Sequence, residues 1–213
     1  MVRIVQQNDW VIFVLTACIA LYLFMLIYLH RDSTVRSFLF QQYADVTNNF
    51  LSWLIVSFIY VVLLTTLLSQ TIPIVPQFVS RLQLFGYELN KFGYTFFVLS
   101  GFYVLRAGLT YLFYKASNDA ERWNHLQFVA SKFFFSASLL LLGVCFMHYF
   151  YPRELKVVFS WYVWGLVIVF VFKNLVFLLA TQPAFPEKTF YKILYICTLQ
   201  IIPLLALWRL LYI

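Results

Sequence analysis

The residues with the most chemistry to explain are two cations set in apolar runs. Arg106 lies in Phe92 to Tyr114, 23 residues without another charge, and Lys173 lies beside Asn174 in the equally apolar run Val157 to Ala180. At ~1.5 Å per residue a 23-residue helix reaches roughly 35 Å, enough to cross a ~30 Å hydrocarbon core, and it sets Arg106 near the midplane. An Arg there costs about 2.5 to 3.5 kcal/mol on insertion scales, so it pairs, meets water or snorkels. The eight carboxylates of the chain, Asp9, Asp32, Asp45, Glu88, Asp119, Glu121, Glu154 and Glu187, all fall outside the apolar runs. The guanidinium is therefore expected to meet a partner's Asp or Glu, a lipid phosphate drawn into a groove, or main-chain carbonyls and Gln200 around a wet pocket. Its planar fork suits the first two bidentately. The competing reading is that Arg106 snorkels toward Lys115, and for Lys173 snorkelling is the stronger reading because its stem has less far to reach.

Gln200 and Pro203 sit together near the middle of the last apolar run, Phe190 to Tyr212. The proline removes the helical bond to the Leu199 carbonyl, and the glutamine brings two donors and an acceptor to mid-depth. With Arg106 and Asn174 it is a candidate for one polar cluster inside a bundle; a kinked helix with a structural glutamine is the plainer alternative. Around Arg106, Gly93, Ser100 and Ala107 recur every seven residues with Gly101 and Gly108 one position on, a stripe that lets another helix approach closely.

The elements that must position these residues follow from composition. Of 213 residues, 63% are hydrophobic and 22% aromatic, while 11% are charged against the ~25% of a soluble domain. The expected fold is an all-α polytopic membrane bundle, one transmembrane domain over residues 1–213. Its six spans are read at about 11–29, 50–68, 92–114, 133–150, 157–180 and 190–212. The fourth belongs to a longer helix from Asp119, started by a capping box at Asn118 to Glu121 and ended near Tyr151 and Pro152. Two interfacial helices are expected as well. One lies between Ser33 and Asn49, where Val35, Phe38, Leu39 and Val46 recur at helical spacing. The other, interfacial or re-entrant, begins at Pro76, shows Phe78, Val79, Leu82 and Phe85 on one face and ends at Gly86. No cleavable signal peptide is evident, so the first helix is expected to remain.

The final run, FYKILYICTLQIIPLLALWRLL, resembles the C-terminal signature of an uncharacterised family of polytopic bacterial inner-membrane proteins, a domain of unknown function. The NDW before the first span and the long fourth helix agree with it. In that family the position of Gln200 commonly holds Glu, so this chain keeps the shape and loses the charge a proton relay would need. The resemblance implies a bacterial inner-membrane address and carries over no activity, cofactor or catalytic residue.

For an enzyme one expects paired carboxylates, a metal-binding His cluster or a nucleophile beside a base. His30, His125 and His148 occupy three separate segments without metal-ligand spacing, and Cys18, Cys145 and Cys197 read as small core hydrophobes. We expect no catalytic residue, no metal and no cofactor. The net charge of +7 reads as basic residues at an anionic lipid surface and not as a nucleic-acid footprint. The leading expectation is a non-catalytic integral subunit of a larger bacterial inner-membrane complex for envelope biogenesis, secretion or transport. Its expected partners are other integral membrane subunits and anionic phospholipid. The alternative is a small transporter or binder of an anionic solute or lipid using Arg106 and Lys173. Lys and Arg number seven in the odd-numbered loops against six in the tails and even loops, which makes the odd-loop side cytoplasmic.

Overall fold

The computed structural model describes residues 9–29, 34–46, 48–71, 83–84, 87–88, 90–117, 120–151, 155–179 and 193–212. Long apolar runs without interior proline become helices, since a backbone in lipid must bond to itself. In chain order these are α1 (Asp9–Phe24), extended by a π-helical turn (Met25–Leu29), and the short α2 (Val35–Phe40), followed by a 3-10 turn (Tyr43–Asp45). Next come α3 (Asn49–Leu68), α4 (Lys91–Ala116), α5 (Ala120–Phe150) and α6 (Leu155–Leu179). A π-helix (Tyr195–Ile201) then runs into α7 (Ile202–Tyr212). The fold is an all-α bundle.

Five stretches are long and apolar enough to cross a bilayer: Trp10–Leu29, Asn49–Leu68, Lys91–Ala116, Glu121–Phe150 and Phe159–Leu178. The protein is therefore a multi-pass membrane protein. The sixth apolar run is shorter, with Tyr195–Leu211 as its apolar helical part.

Local signals fix the helix ends. Asn90 caps α4 by accepting from the Gly93 amide at 2.7 Å, and Lys115 in the last turn faces the negative end of the helix dipole. Thr34 caps α2 in the same way, accepting from Ser37 N at 3.2 Å.

The centre of the bundle is α3, packed along its length on α5 and flanked by α1 and α4. Lipid tails are as apolar as leucine, so packing and interhelical hydrogen bonds must hold the helices together. The Tyr149 hydroxyl donates to Thr66 O at 2.8 Å and the Cys145 thiol points at Leu63 O at 3.5 Å, joining α5 to α3. Tyr22 and Ser138 join α1 to α5 through their hydroxyls. The Tyr94 hydroxyl donates to Leu210 O at 2.8 Å, closing α4 on α7. Phe135 receives both Tyr22 (5.1 Å between ring centroids) and Phe38 of α2 (4.9 Å). The outer face of α6 shows Trp161, Ile168 and Phe172 outward, as lipid contact requires.

Three expectations are corrected. The helix expected between Ser33 and Asn49 is broken: α2 stops at Gln41, whose ψ of 139° is extended, so that Phe38 reaches the core while the chain turns to meet α5. The helix expected from Pro76 does not run to Phe85; residues 72–82 lie outside the described residues, and Gln83–Leu84 pair antiparallel with Tyr87–Glu88. Two residues, Phe and Gly, separate the paired strands in sequence, a composition that favours a tight hairpin over helix continuation. Cys18 and Cys145 are core residues as read, but Cys197 is exposed because the π-helical stretch turns it outward.

Candidate functional site

Arg106 and Lys173, 67 positions apart, are brought to one place because α4 and α6 run the same way through the bundle, joined by the returning α5. Two clefts meet there. The first, about 250 Å³, is walled by α3, α4, α5, α6 and α7 from Leu68, Leu99 and Leu211 inward. The second, about 360 Å³, runs from Trp53 and Trp123 inward past Ser57, Ala107, Thr110 and Tyr195. Tyr103, Arg106, Phe134 and Lys173 line both. The first cleft takes the later half of α3 and the earlier half of α4; the second takes the reverse. The clefts therefore stack across the bundle, one in each half, with the four shared residues as the layer between them.

Within that layer Lys173 is 6% exposed, its Nζ 5.7 Å from the centroid of Phe134 and 5.4 Å from that of Phe177. Ring faces carry negative potential and hold a buried ammonium. Lys173 thus turns into the bundle and does not snorkel, which corrects the stronger reading of it from sequence. Arg106 is partly buried on the same layer, and its charge acts on Lys173 and on the hydroxyls of Tyr60, Tyr103 and Tyr195. Among the described residues no carboxylate approaches either cation; the ionic contact found among them is Glu121 with His125 at 3.9 Å, in the opening turns of α5. Two basic side chains face a space whose walls are otherwise mostly apolar.

The expected cluster of Arg106, Asn174 and Gln200 forms only in part. Asn174 Nδ2 donates to Phe170 O of its own helix at 3.0 Å, while its buried Oδ1 has no hydrogen-bond partner among the described residues. Gln200 is 1% exposed in the π-helix, close to Tyr195, and neither Nε2 nor Oε1 closes a well-formed hydrogen bond. The π-helical bonding, seen in the Ile202 amide reaching Cys197 O, is how the chain accommodates Pro203, which has no N–H to give.

The small-residue stripe divides. Ser100 and Ala107 line the second cleft and Gly93 is partly buried, but Gly101 and Gly108 are exposed, with open space where a Cβ would stand. Among the described residues no helix approaches closely at these two glycines. Of the histidines among the described residues, His125 packs on Tyr43 with ring centroids 3.8 Å apart and His148 Nδ1 meets the Tyr162 hydroxyl at 2.7 Å. Among the described residues no three His, Cys, Asp or Glu side chains gather as metal ligands.

Sequence reasoning missed Ser57, Tyr60, Tyr103, Thr110 and Tyr195. On α4 the signal was present, since Tyr103, Arg106, Ala107 and Thr110 follow i, i+3, i+4, i+7 and share one face. Nothing in the sequence marked Ser57, which comes to the site through the pairing of α3 with α4.

No curated protein and no solved structure matches the chain. One family does, over residues 10–211, from the tryptophan that opens the first span to the last turn of α7. Because that match takes in every helix that builds the two clefts, the chain belongs to the family described as Domain of unknown function (DUF4271).

Proposed function

We propose that this protein is a non-catalytic membrane protein that holds an acidic amphiphile, with the anionic headgroup at Arg106 and Lys173 and the hydrocarbon against the apolar walls of the clefts. One observation carries the reading: two cations from different helices share a mid-depth layer to which the described residues bring no carboxylate. Two like charges in a poorly solvated site repel and lose hydration, and an anion between them reverses both terms. The apolar walls favour a ligand that carries its own hydrocarbon over a hydrated solute. The resemblance of the last helix supports the bacterial inner membrane as the address.

The test is purification in mild detergent followed by extraction and quantitation of bound acidic lipid. Wild type is expected to retain it in near-stoichiometric amount and the double variant Arg106→Leu, Lys173→Met to lose it. Equal retention by both would remove the proposal.

A second reading, a subunit of a larger membrane assembly, is favoured by the outward Gly101 and Gly108 on α4, where a helix of another chain has room to approach. Co-purification at native expression level tests it. A stoichiometric partner lost in Gly101→Leu supports the subunit, and a lone protein with bound lipid supports the amphiphile-binding reading by itself.

A further inference from the structure

The two clefts differ in what they offer besides the shared cations. Beyond the layer, the first cleft presents leucine, valine and phenylalanine with Tyr60 and Trp208, whereas the second adds Ser57, Ser100, Thr110 and Tyr195. Hydroxyls in membrane helices ordinarily donate to the carbonyl four residues back. Here Ser52 donates to Asn48 O at 2.8 Å, Thr65 to Val61 O at 2.8 Å, Thr66 to Val62 O at 2.9 Å and Thr110 to Arg106 O at 2.8 Å. Ser57 departs from this habit. Its Oγ is buried, lines the second cleft and has no hydrogen-bond partner among the described residues. A buried hydroxyl left unpaired costs about 1 to 3 kcal/mol, and the ordinary remedy, a bond within its own helix, lies one rotamer away.

We infer that the second cleft is an oxyanion site of the phosphate class, with Ser57 donating to the same group that Arg106 and Lys173 neutralise. This rests on the reading that those two cations bind an anion, and it adds the headgroup's chemistry and the half of the bundle that receives it. The donors come from three helices, Ser57 from α3, Arg106 from α4 and Lys173 from α6, and so converge from three directions. A carboxylate offers two oxygens in one plane. A phosphate offers oxygens directed to the corners of a tetrahedron and can take a bidentate guanidinium, an ammonium and a hydroxyl together. The cleft begins at Trp53 and Trp123, whose rings meet edge-on with centroids 6.1 Å apart, the residue type that sits at headgroup level in a bilayer. A phosphate headgroup entering there passes alongside these rings toward the cations, and the first cleft, beyond the layer, lacks the extra hydroxyls.

The experiment uses delipidated full-length protein in detergent, with 1-oleoyl lysophosphatidate, oleate and inorganic phosphate as probes, and measures affinity by calorimetry for wild type and Ser57→Ala. A hydrogen bond to a charged group is worth roughly tenfold or more in affinity. Wild type is expected to bind the lysophosphatidate at least about tenfold more tightly than oleate, and Ser57→Ala, with an unchanged circular-dichroism spectrum and elution volume showing that it is folded, to narrow that ratio toward one. A ratio near one in wild type, or a ratio insensitive to Ser57→Ala, overturns the oxyanion assignment while oleate binding leaves the Arg106 and Lys173 reading standing. Failure of all three probes overturns both. Inorganic phosphate binding as tightly as the lysophosphatidate supports the oxyanion site and assigns it to a solute in place of a lipid.

Discussion

Lys173→Met is expected to act in opposite directions on the empty and the loaded protein. Methionine keeps much of the length and apolar bulk of the stem and removes the charge. In delipidated protein the substitution relieves the repulsion between Lys173 and Arg106; over ~4 to 8 Å, two unit charges at an effective dielectric near 20 repel by about 2 to 4 kcal/mol. Against this stand the two cation–π contacts, to Phe134 and Phe177. Together these are worth about 1 to 2 kcal/mol, partly replaced by the sulfur against the rings. The balance favours the variant by about 1 to 2 kcal/mol, or roughly 2 to 8 °C in Tm for a chain of this size. With an acidic amphiphile bound the sign changes, because wild type gains a charge-assisted partner that the variant lacks. The assay is differential scanning fluorimetry of both proteins, delipidated and then titrated with a phosphate-bearing amphiphile. If Lys173→Met lowers the Tm of delipidated protein and both proteins respond equally to the amphiphile, Lys173 is a packing residue and the anion site is not there.

Arg106→Lys should retain bound acidic lipid in part and Arg106→Leu should lose it, since an ammonium supplies charge without the fork; extracted lipid phosphate across the three proteins decides, and full retention by Arg106→Leu counts against the site. Gln200→Leu should leave stability unchanged or raise it by about 1 to 2 kcal/mol, because it removes a buried amide that closes no well-formed hydrogen bond among the described residues; a Tm drop of more than a few degrees refutes this. Gly101→Leu and Gly108→Leu should leave the thermal stability of the isolated chain within about 0.5 kcal/mol of wild type, since each side chain enters open space, and any loss should appear only as altered assembly on native gels. A C-terminal reporter fusion should report the side away from the cytoplasm, and cytoplasmic activity would overturn the orientation drawn from loop charges.

The helices were legible because a membrane span is specified one segment at a time: length, apolarity and the lack of interior proline suffice, as in Asn49–Leu68. The site was legible in its charges and not in its surroundings. Arg106 and Lys173 announce themselves as costly residues in apolar runs, but that they face one layer depends on helix order and rotation, which span counting does not fix. Lys173 was misjudged because snorkelling weighs only the distance to the surface and not the aromatic faces of Phe134 and Phe177, contributed by α5 and by its own helix. The outward turn of Gly101 and Gly108 was hidden for a similar reason: a small-residue stripe permits close approach, but the sequence does not say by whom. The segment expected to be helical up to Phe85 carried apolar spacing compatible with a helix, and strand pairing at Gln83 and Leu84 prevailed where the chain reaches Gly86.

The π-helix before Pro203 has a further consequence, which is angular. In an α-helix each residue advances about 100°, so every fourth residue drifts by about 40° and a run of five such positions turns through about 160°, nearly to the opposite side. Tyr195, Leu199, Pro203, Leu207 and Leu211 are five such positions, and all are buried or half-buried. The wider π turn, closing on the fifth residue with about 4.4 residues per turn, drifts by roughly 30° the other way over each four. Through the π-helical half the seam winds one way, through α7 it winds back, and the two drifts nearly cancel. The last helix thereby keeps one straight edge against the bundle from Tyr195, beside the cationic layer, to Leu211 at the far end of the first cleft.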